Sequence, residues 1–185
     1  MSEPWIAVLP FKGNGQSKTR LALPEAQQLA QQWLTQAVEQ CLNAPSIAQT
    51  WVVSLGDQFQ LPPSVKWMRQ AGQGLNEGLR EWHSLHRPAR WVVILPDLPH
   101  VRFDDLEELL GACPAQGLAL APDRHRRGCN ALAVQGCSPE LVFGTDSFLR
   151  YQAQPFTQAV VERCGLANDV DTLDDAGRPG CSDPR

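Results

Sequence analysis

The segment Arg90–Leu95, RWVVIL, constrains this chain most. It is apolar nearly throughout, so both faces of the strand it predicts must be covered. Such a run belongs in the centre of a sheet flanked by helices on both sides. It stops at Pro96 and is followed at once by Asp97. Trp5 to Leu9 reads as a buried first strand, Thr50 to Ser54 as a second and Val65 to Met68 as a third. The Pro62-Pro63 break separates the last two. Between the first and second strands Leu29, Trp33, Ala37 and Cys41 recur every fourth residue, which predicts a helix over roughly Pro24 to Leu42. Leu75, Leu79 and Trp82 mark a second helix.

Further along, Asp104 and Glu107 have the spacing of a helix-start cap ahead of Leu106, Leu109, Leu110 and Cys113. Leu118 to Ala121 and Ala131 to Val134 are short strand candidates around the basic loop DRHRRG. Ser147 opens a helix that Pro155 should end. Ala159 to Glu162 either extends it or forms a last strand, and the β-branched pair Val160-Val161 favours the strand. Strands alternating with helices predict an α/β fold: a three-layer α/β/α sandwich with a mostly parallel mixed sheet. The expected organisation is one domain over residues 1–176 with a flexible tail over 177–185.

The net charge of −4 gives no general attraction to nucleic acid or an anionic membrane, so an anion site has to be local. The N-terminus lacks the pattern of a secretory signal and no apolar run reaches about 18 residues, so the expected location is cytoplasmic. The six cysteines show neither a CxxC pair nor zinc spacing with the four histidines, and reduced, mostly buried thiols are expected.

In open α/β sheets ligands bind beyond the carboxyl ends of the strands, which singles out three loops. Pro10 to Arg20 carries Lys12, Lys18 and Arg20 with two glycines that let backbone approach a ligand closely, the makings of a triphosphate cradle or of an ordinary surface loop. Asp97 follows the central strand, where a carboxylate suits magnesium or caps a turn. Asp169 and Asp171 alternate about Val170, so in extended backbone both carboxylates face one side. Close like charges favour a compensating cation over a bare pair, and the alternative is a solvated acidic turn continuing into Asp174 and Asp175. Gly72, Gly74 and Asn76 form a glycine-rich turn suited to a base or ribose, and Gly144 to Ser147 a turn suited to an anion.

In order, LPFKGNGQSKTRL, GQGLNEGL, ILPDLP, APDRHRRGCNAL, FGTDSF and NDVDTLDD resemble the 2-phospholactate guanylyltransferase family, over Val8 to about Asp175. The resemblance implies a GT-A-like, Rossmann-like nucleotidyltransferase fold of the molybdenum-cofactor guanylyltransferase type. It also implies a reaction in biosynthesis of the deazaflavin coenzyme F-420. A guanylyl group would pass from GTP to 2-phospholactate, phosphoenolpyruvate or 3-phosphoglycerate with release of pyrophosphate. By match to the family motifs, Asp97, Asp169 and Asp171 would hold Mg2+, with Asp97, Lys18 and Arg20 as the catalytic set. Pro10, Lys12, Lys18, Arg20, Gly74 and Asn76 would meet the nucleotide, and Cys129, Gly144 and Ser147 the acceptor. Cys129 stands where the family usually has a threonine whose hydroxyl contacts the acceptor, which leaves the acceptor open. Rival readings are a molybdopterin-type nucleotidyltransferase and a nucleotide-binding domain without turnover. Neither nucleic acid nor membrane is an expected partner, and the sequence does not fix whether the chain forms a homodimer.

Overall fold

The computed structural model describes residues 3–12, 23–56 and 60–169. Seven strands form one sheet in the order β3-β2-β1-β4-β6-β5-β7. In chain order the elements are β1 (Trp5–Phe11), α1 (Leu23–Asn43), β2 (Ile47–Ser54), β3 (Val65–Arg69), α2 (Leu75–His86) and β4 (Arg90–Ile94). They continue as α3 (Phe103–Ala112), β5 (Gly117–Pro122), β6 (Cys129–Gln135), α4 (Ser147–Gln152), β7 (Thr157–Val160) and α5 (Cys164–Ala167). Strand β6 runs antiparallel to both β4 and β5, and every other pairing is parallel.

The alternation of side chains along a strand explains the three layers. On β1 and β4, Ala7, Leu9, Val92 and Ile94 face a core shared with Leu34 and Val38 of α1, Leu106 and Leu109 of α3, and Leu166 of α5. Val8, Trp91 and Val93 face the opposite core, with Leu79 and Trp82 of α2 and Phe148 and Tyr151 of α4. All four β4 residues from Trp91 to Ile94 are buried, as a doubly covered central strand requires.

Strand order reverses between β1 and β4. From β1 the chain builds outward to β2 and β3, then returns past β1 to lay β4 on its other side, in register Ile6↔Trp91, Ala7↔Val92 and Val8↔Val93. A crevice opens beyond the carboxyl ends of two parallel strands whose crossovers diverge in this way.

Some local expectations need correction. Helix α3 is capped two residues earlier than the Asp104–Glu107 pair. Its N-cap is Arg102, whose backbone N–H donates to the Asp105 carboxylate at 2.9 Å. Glu107 instead accepts from the Ser46 backbone N–H at 2.9 Å and the Ser46 hydroxyl at 2.6 Å, tying α3 to the start of β2. Residues 159–162 do include a strand, but β7 begins two residues earlier, at Thr157. The four-residue α5 was not anticipated. Cys41, Cys113, Cys129 and Cys137 are free thiols, whereas Cys164 is disulfide-bonded, contrary to the all-reduced expectation. Among the described residues, no helix is long and apolar enough to cross a membrane.

Candidate active site

Two cavities open along the edge of the sheet where β1, β4 and β5 end and β6 begins. One, of about 370 Å³, is lined by Pro10, Phe11 and Lys12 from β1 and its exit, Trp33 of α1 and Leu75 of α2. The other, of about 460 Å³, lies across β6 and is lined by Gly128, Cys129, Asn130, Thr145, Ser147 and Asp169, among others. Leu95, Asp97 and Gly144 line both. The two cavities are therefore lobes of one cleft, with Asp97 on the shared wall. The Oδ1 atom of Asp97 is shut off from solvent.

The turn at Gly72 to Gly74 is braced from beneath. Gln70, a buried residue, donates from Nε2 to the carbonyls of Gly72 and Gly74 at 2.7 and 2.9 Å. The Glu77 carboxylate accepts the Gly74 N–H at 3.1 Å. Gly74 lines a small cavity continuous in its residues with the first lobe, through Pro10, Phe11, Lys12 and Leu75. Asn76 lies outside both lobes. Its side-chain amide donates to the Phe143 carbonyl and accepts the Phe143 N–H, both at 2.9 Å. That bracket fixes the start of α2 against the residue before Gly144, so Asn76 shapes the shared wall from behind. Lys12 is exposed at the lip. Lys18, Arg20 and Asp171 fall outside the described residues.

The second lobe has four aspartates, and hydrogen bonding divides them by task. Asp123 gathers its own loop, accepting the backbone N–H groups of His125 and Arg127 on Oδ1, each at 3.0 Å, and of Gly128 on Oδ2 at 2.8 Å. Asp146, in the left-handed region at φ 54°, takes both Nε and an Nη of Arg127 on Oδ1 at 2.6 Å. Asp97 and Asp169 line the same wall, and their carboxylate oxygens are of the kind a hard cation takes. Asp169 is held through Asn130, only 3% exposed, whose Nδ2 donates to the Leu166 carbonyl at 2.9 Å and lies 3.4 Å from Asp169 Oδ1. The Asn130 carbonyl accepts the Leu95 N–H at 2.9 Å, so one residue links the end of β4 to the segment carrying Asp169. A further clamp holds the same segment. Arg163 Nε donates to buried Asp105 at 3.0 Å, and a Cβ on Gly165 would fall 2.1 Å from Asp105 Oδ2.

Cys129 and Ser147 meet in this lobe through backbone. The Cys129 N–H donates to the Ser147 hydroxyl at 2.8 Å, and Ser147 N–H to the Gly144 carbonyl at 3.1 Å. The Cys129 sulfur points inward, 3.2 Å from the Ala131 carbonyl, among the apolar residues of the α2/α4 layer. Burial pushes its thiol up to about 12, so it is neutral at physiological pH and no nucleophile. The family threonine's hydroxyl thus has no exposed equivalent in this thiol.

Sequence reasoning passed over Arg127 and Asn130. Arg127 was legible only as one cation of a basic loop, and nothing in DRHRRG distinguishes the arginine that faces the lobe. Asn130 stands in the motif APDRHRRGCNAL, but its link to Asp169, 39 residues away, depends on the fold.

Among the described residues no three His, Cys, Asp or Glu side chains form a metal cage. Two carboxylates on a cleft wall nonetheless fit magnesium or manganese, which commonly take one or two protein carboxylates and fill their shell with water and substrate oxygens. A sheet of this order, a bilobed cleft at its switch point and paired acids on the wall together define a nucleotidyltransferase.

The comparisons agree. The fold is that of a putative nucleotide-diphospho-sugar transferase from Desulfovibrio desulfuricans (TM-score 0.67, 17% identity, 95% of this chain and 85% of that one). It is equally that of a nucleotidyl transferase from Methanothermobacter (TM-score 0.66, 12% identity, 95% of each chain). A Mycobacterium tuberculosis protein solved with manganese shares it too (TM-score 0.54, 16% identity, 94% of this chain and 96% of that one). No protein-family model matches the chain. In sequence it is 35% identical to a phosphoenolpyruvate guanylyltransferase of Sphaerobacter thermophilus, over 90% of this chain and 88% of that protein. It is 32% identical to one of Chloroflexus aggregans, over 78% of this chain and 79% of that protein. The chain belongs to the phosphoenolpyruvate guanylyltransferase family.

Proposed function

We propose that this enzyme transfers a guanylyl group from GTP to phosphoenolpyruvate, or to the related acids 2-phospholactate or 3-phosphoglycerate, in deazaflavin coenzyme F-420 biosynthesis. The observation that carries this reading is the bilobed cleft with Asp97 common to both lobes. The lobe beside Pro10, Lys12 and Gly74 takes GTP, and the lobe beside Cys129, Gly144 and Ser147 takes the acceptor, so the reacting groups meet at Asp97.

The acceptor brings its own nucleophile. A phosphate oxygen attacks the α-phosphorus of GTP, the bond from that phosphorus to the bridging oxygen of the β-phosphate breaks, and pyrophosphate departs with the electron pair. No covalent enzyme intermediate and no strong base are required, so catalysis reduces to alignment and charge balance. Asp97 and Asp169, with Asp171, would hold Mg2+. When bound, the ion would supply positive charge at the α-phosphate and a fixed point for alignment. Asn130 holds Asp169 in place, and Asn76 and Gln70 hold the two turns that form the cleft walls. Lys12, with Lys18 and Arg20, would offset charge on the leaving pyrophosphate.

The test is pyrophosphate release from GTP and magnesium with each of the three acids in turn, beside Asp97→Asn. Release with at least one acid, abolished by the substitution, is the expected result. Folded protein that binds GTP yet releases nothing with all three would overturn the reading.

A further inference from the structure

Resting on the reading above, the geometry points to Arg127 as the residue that binds the acceptor's phosphate, a role we propose from the charge balance of the second lobe. Among the described residues that lobe is lined by Asp97, Asp123, Asp146 and Asp169 and by one cation, Arg127. An acceptor bearing a phosphate and a carboxylate must enter this acidic space beside a triphosphate that is itself anionic. Of its phosphate oxygens one attacks. The others need donors, and a guanidinium offers them in a planar fork matched to phosphate.

Arg127 is built for the task. Its backbone is fixed on both sides, the N–H by Asp123 Oδ1 at 3.0 Å and the carbonyl by the Phe148 N–H at 2.9 Å. Its side chain is aimed by Asp146, whose Oδ1 takes Nε and one Nη and leaves the outer N–H groups of the fork for a ligand. The pair is exposed, 67% at Arg127 and 35% at Asp146, and exposed pairs contribute little to folding. Stability therefore does not account for an ion pair on a doubly braced loop at the mouth of the lobe, whereas recognition of an anion does.

The experiment titrates phosphoenolpyruvate, and separately pyruvate, into wild type, Arg127→Ala and Arg127→Lys by calorimetry. The nucleotide lobe is filled with α,β-methylene GTP and magnesium, and turnover with GTP is measured in parallel. Thermal unfolding checks that the variants are folded. In Arg127→Ala the affinity for phosphoenolpyruvate should fall about ten- to a hundredfold, the effect of losing hydrogen bonds to a charged group. Affinity for pyruvate, which lacks the phosphate, and for the GTP analogue should stay within about twofold by the same reasoning, since neither meets Arg127. Arg127→Lys should recover part of the loss, because it restores charge without the fork. Unchanged phosphoenolpyruvate affinity in Arg127→Ala would overturn the proposal, and so would an equal loss for pyruvate or for the GTP analogue. Arg127-dependent binding of phosphoenolpyruvate in a wild type that releases no pyrophosphate would uphold the phosphate site and count against guanylyl transfer alone.

Discussion

Asn130 and Asp169, 39 residues apart in sequence, approach to 3.4 Å between Nδ2 and Oδ1, and the same Nδ2 holds the Leu166 carbonyl at 2.9 Å. A buried amide that grips both the end of α5 and the carboxylate just past it sets where that carboxylate stands. Asn130→Ala removes both bonds and leaves the Leu166 carbonyl to find another donor. Outer partners of metal ligands typically matter about 10- to 100-fold, so manganese affinity, read by electron paramagnetic resonance, should weaken by about that factor. GTP binding without metal should be unaffected. An unchanged manganese affinity would show that Asp169 needs no such support.

The Gly165 position has no room for a side chain. A Cβ there would fall 2.1 Å from Asp105 Oδ2 and 2.7 Å from the His100 carbonyl, against a carboxylate already committed to Arg163 and the α3 cap. Gly165→Ala should cost about 1–3 kcal/mol, the usual range for overpacking. Chemical denaturation of the variant against wild type measures it, and a difference under about 0.5 kcal/mol, the level of neutral surface changes, would show that α5 shifts freely.

Cys129 should resist alkylation in the folded enzyme. Burial raises its thiol to about 12 and that of Cys41 likewise to about 12, and the thiolate is the reactive form. Iodoacetamide at pH 8 followed by peptide mass mapping should leave both unmodified until denaturant is added. Rapid labelling of Cys129 in native protein would mean that its sulfur faces the second lobe.

His83 packs on Trp91, ring centres 4.9 Å apart, and partial burial together with the neighbouring Arg87 lowers its pKa below the ordinary 6.5. The folded state therefore favours the neutral ring. The unfolded chain binds the extra proton first as pH falls, so stability declines from about 6.5 downward to the folded value and is fully present above 6.5. His83→Gln should flatten the pH dependence of the melting temperature in that acidic window and leave it unchanged above pH 7.5. Equal slopes in both proteins would remove His83 as the cause.

What the sequence disclosed follows from the reach of each signal. RWVVIL revealed a doubly covered central strand because burial on both faces is a property of composition, and Pro96 marked where it ended. Asp97 and Asp169, placed in separate loops by the strand-end rule, line one cavity in the fold. Strand direction was not legible, because an apolar run such as CNALAV reads the same both ways, and β6 proves antiparallel. DDLEE offers several acids to cap α3, and the choice of Asp105 over Asp104 depends on a tertiary partner, Arg163. The roles of Lys18, Arg20 and Asp171 lie outside the described residues.

The reversed course of β6 has a consequence for how such an enzyme can diversify. Because β5 ends and β6 begins at the same edge, a single short loop, residues 123–128, leaves and re-enters the sheet beside the second lobe. Both of its anchors, Pro122↔Cys129 and Ala121↔Ala131, lie in the β5–β6 ladder, away from the β1–β3 ladder beneath the first lobe. Residues there can be exchanged, lengthened or trimmed while the β1–β3 ladder stays in place, so the second lobe can vary while the first stays fixed.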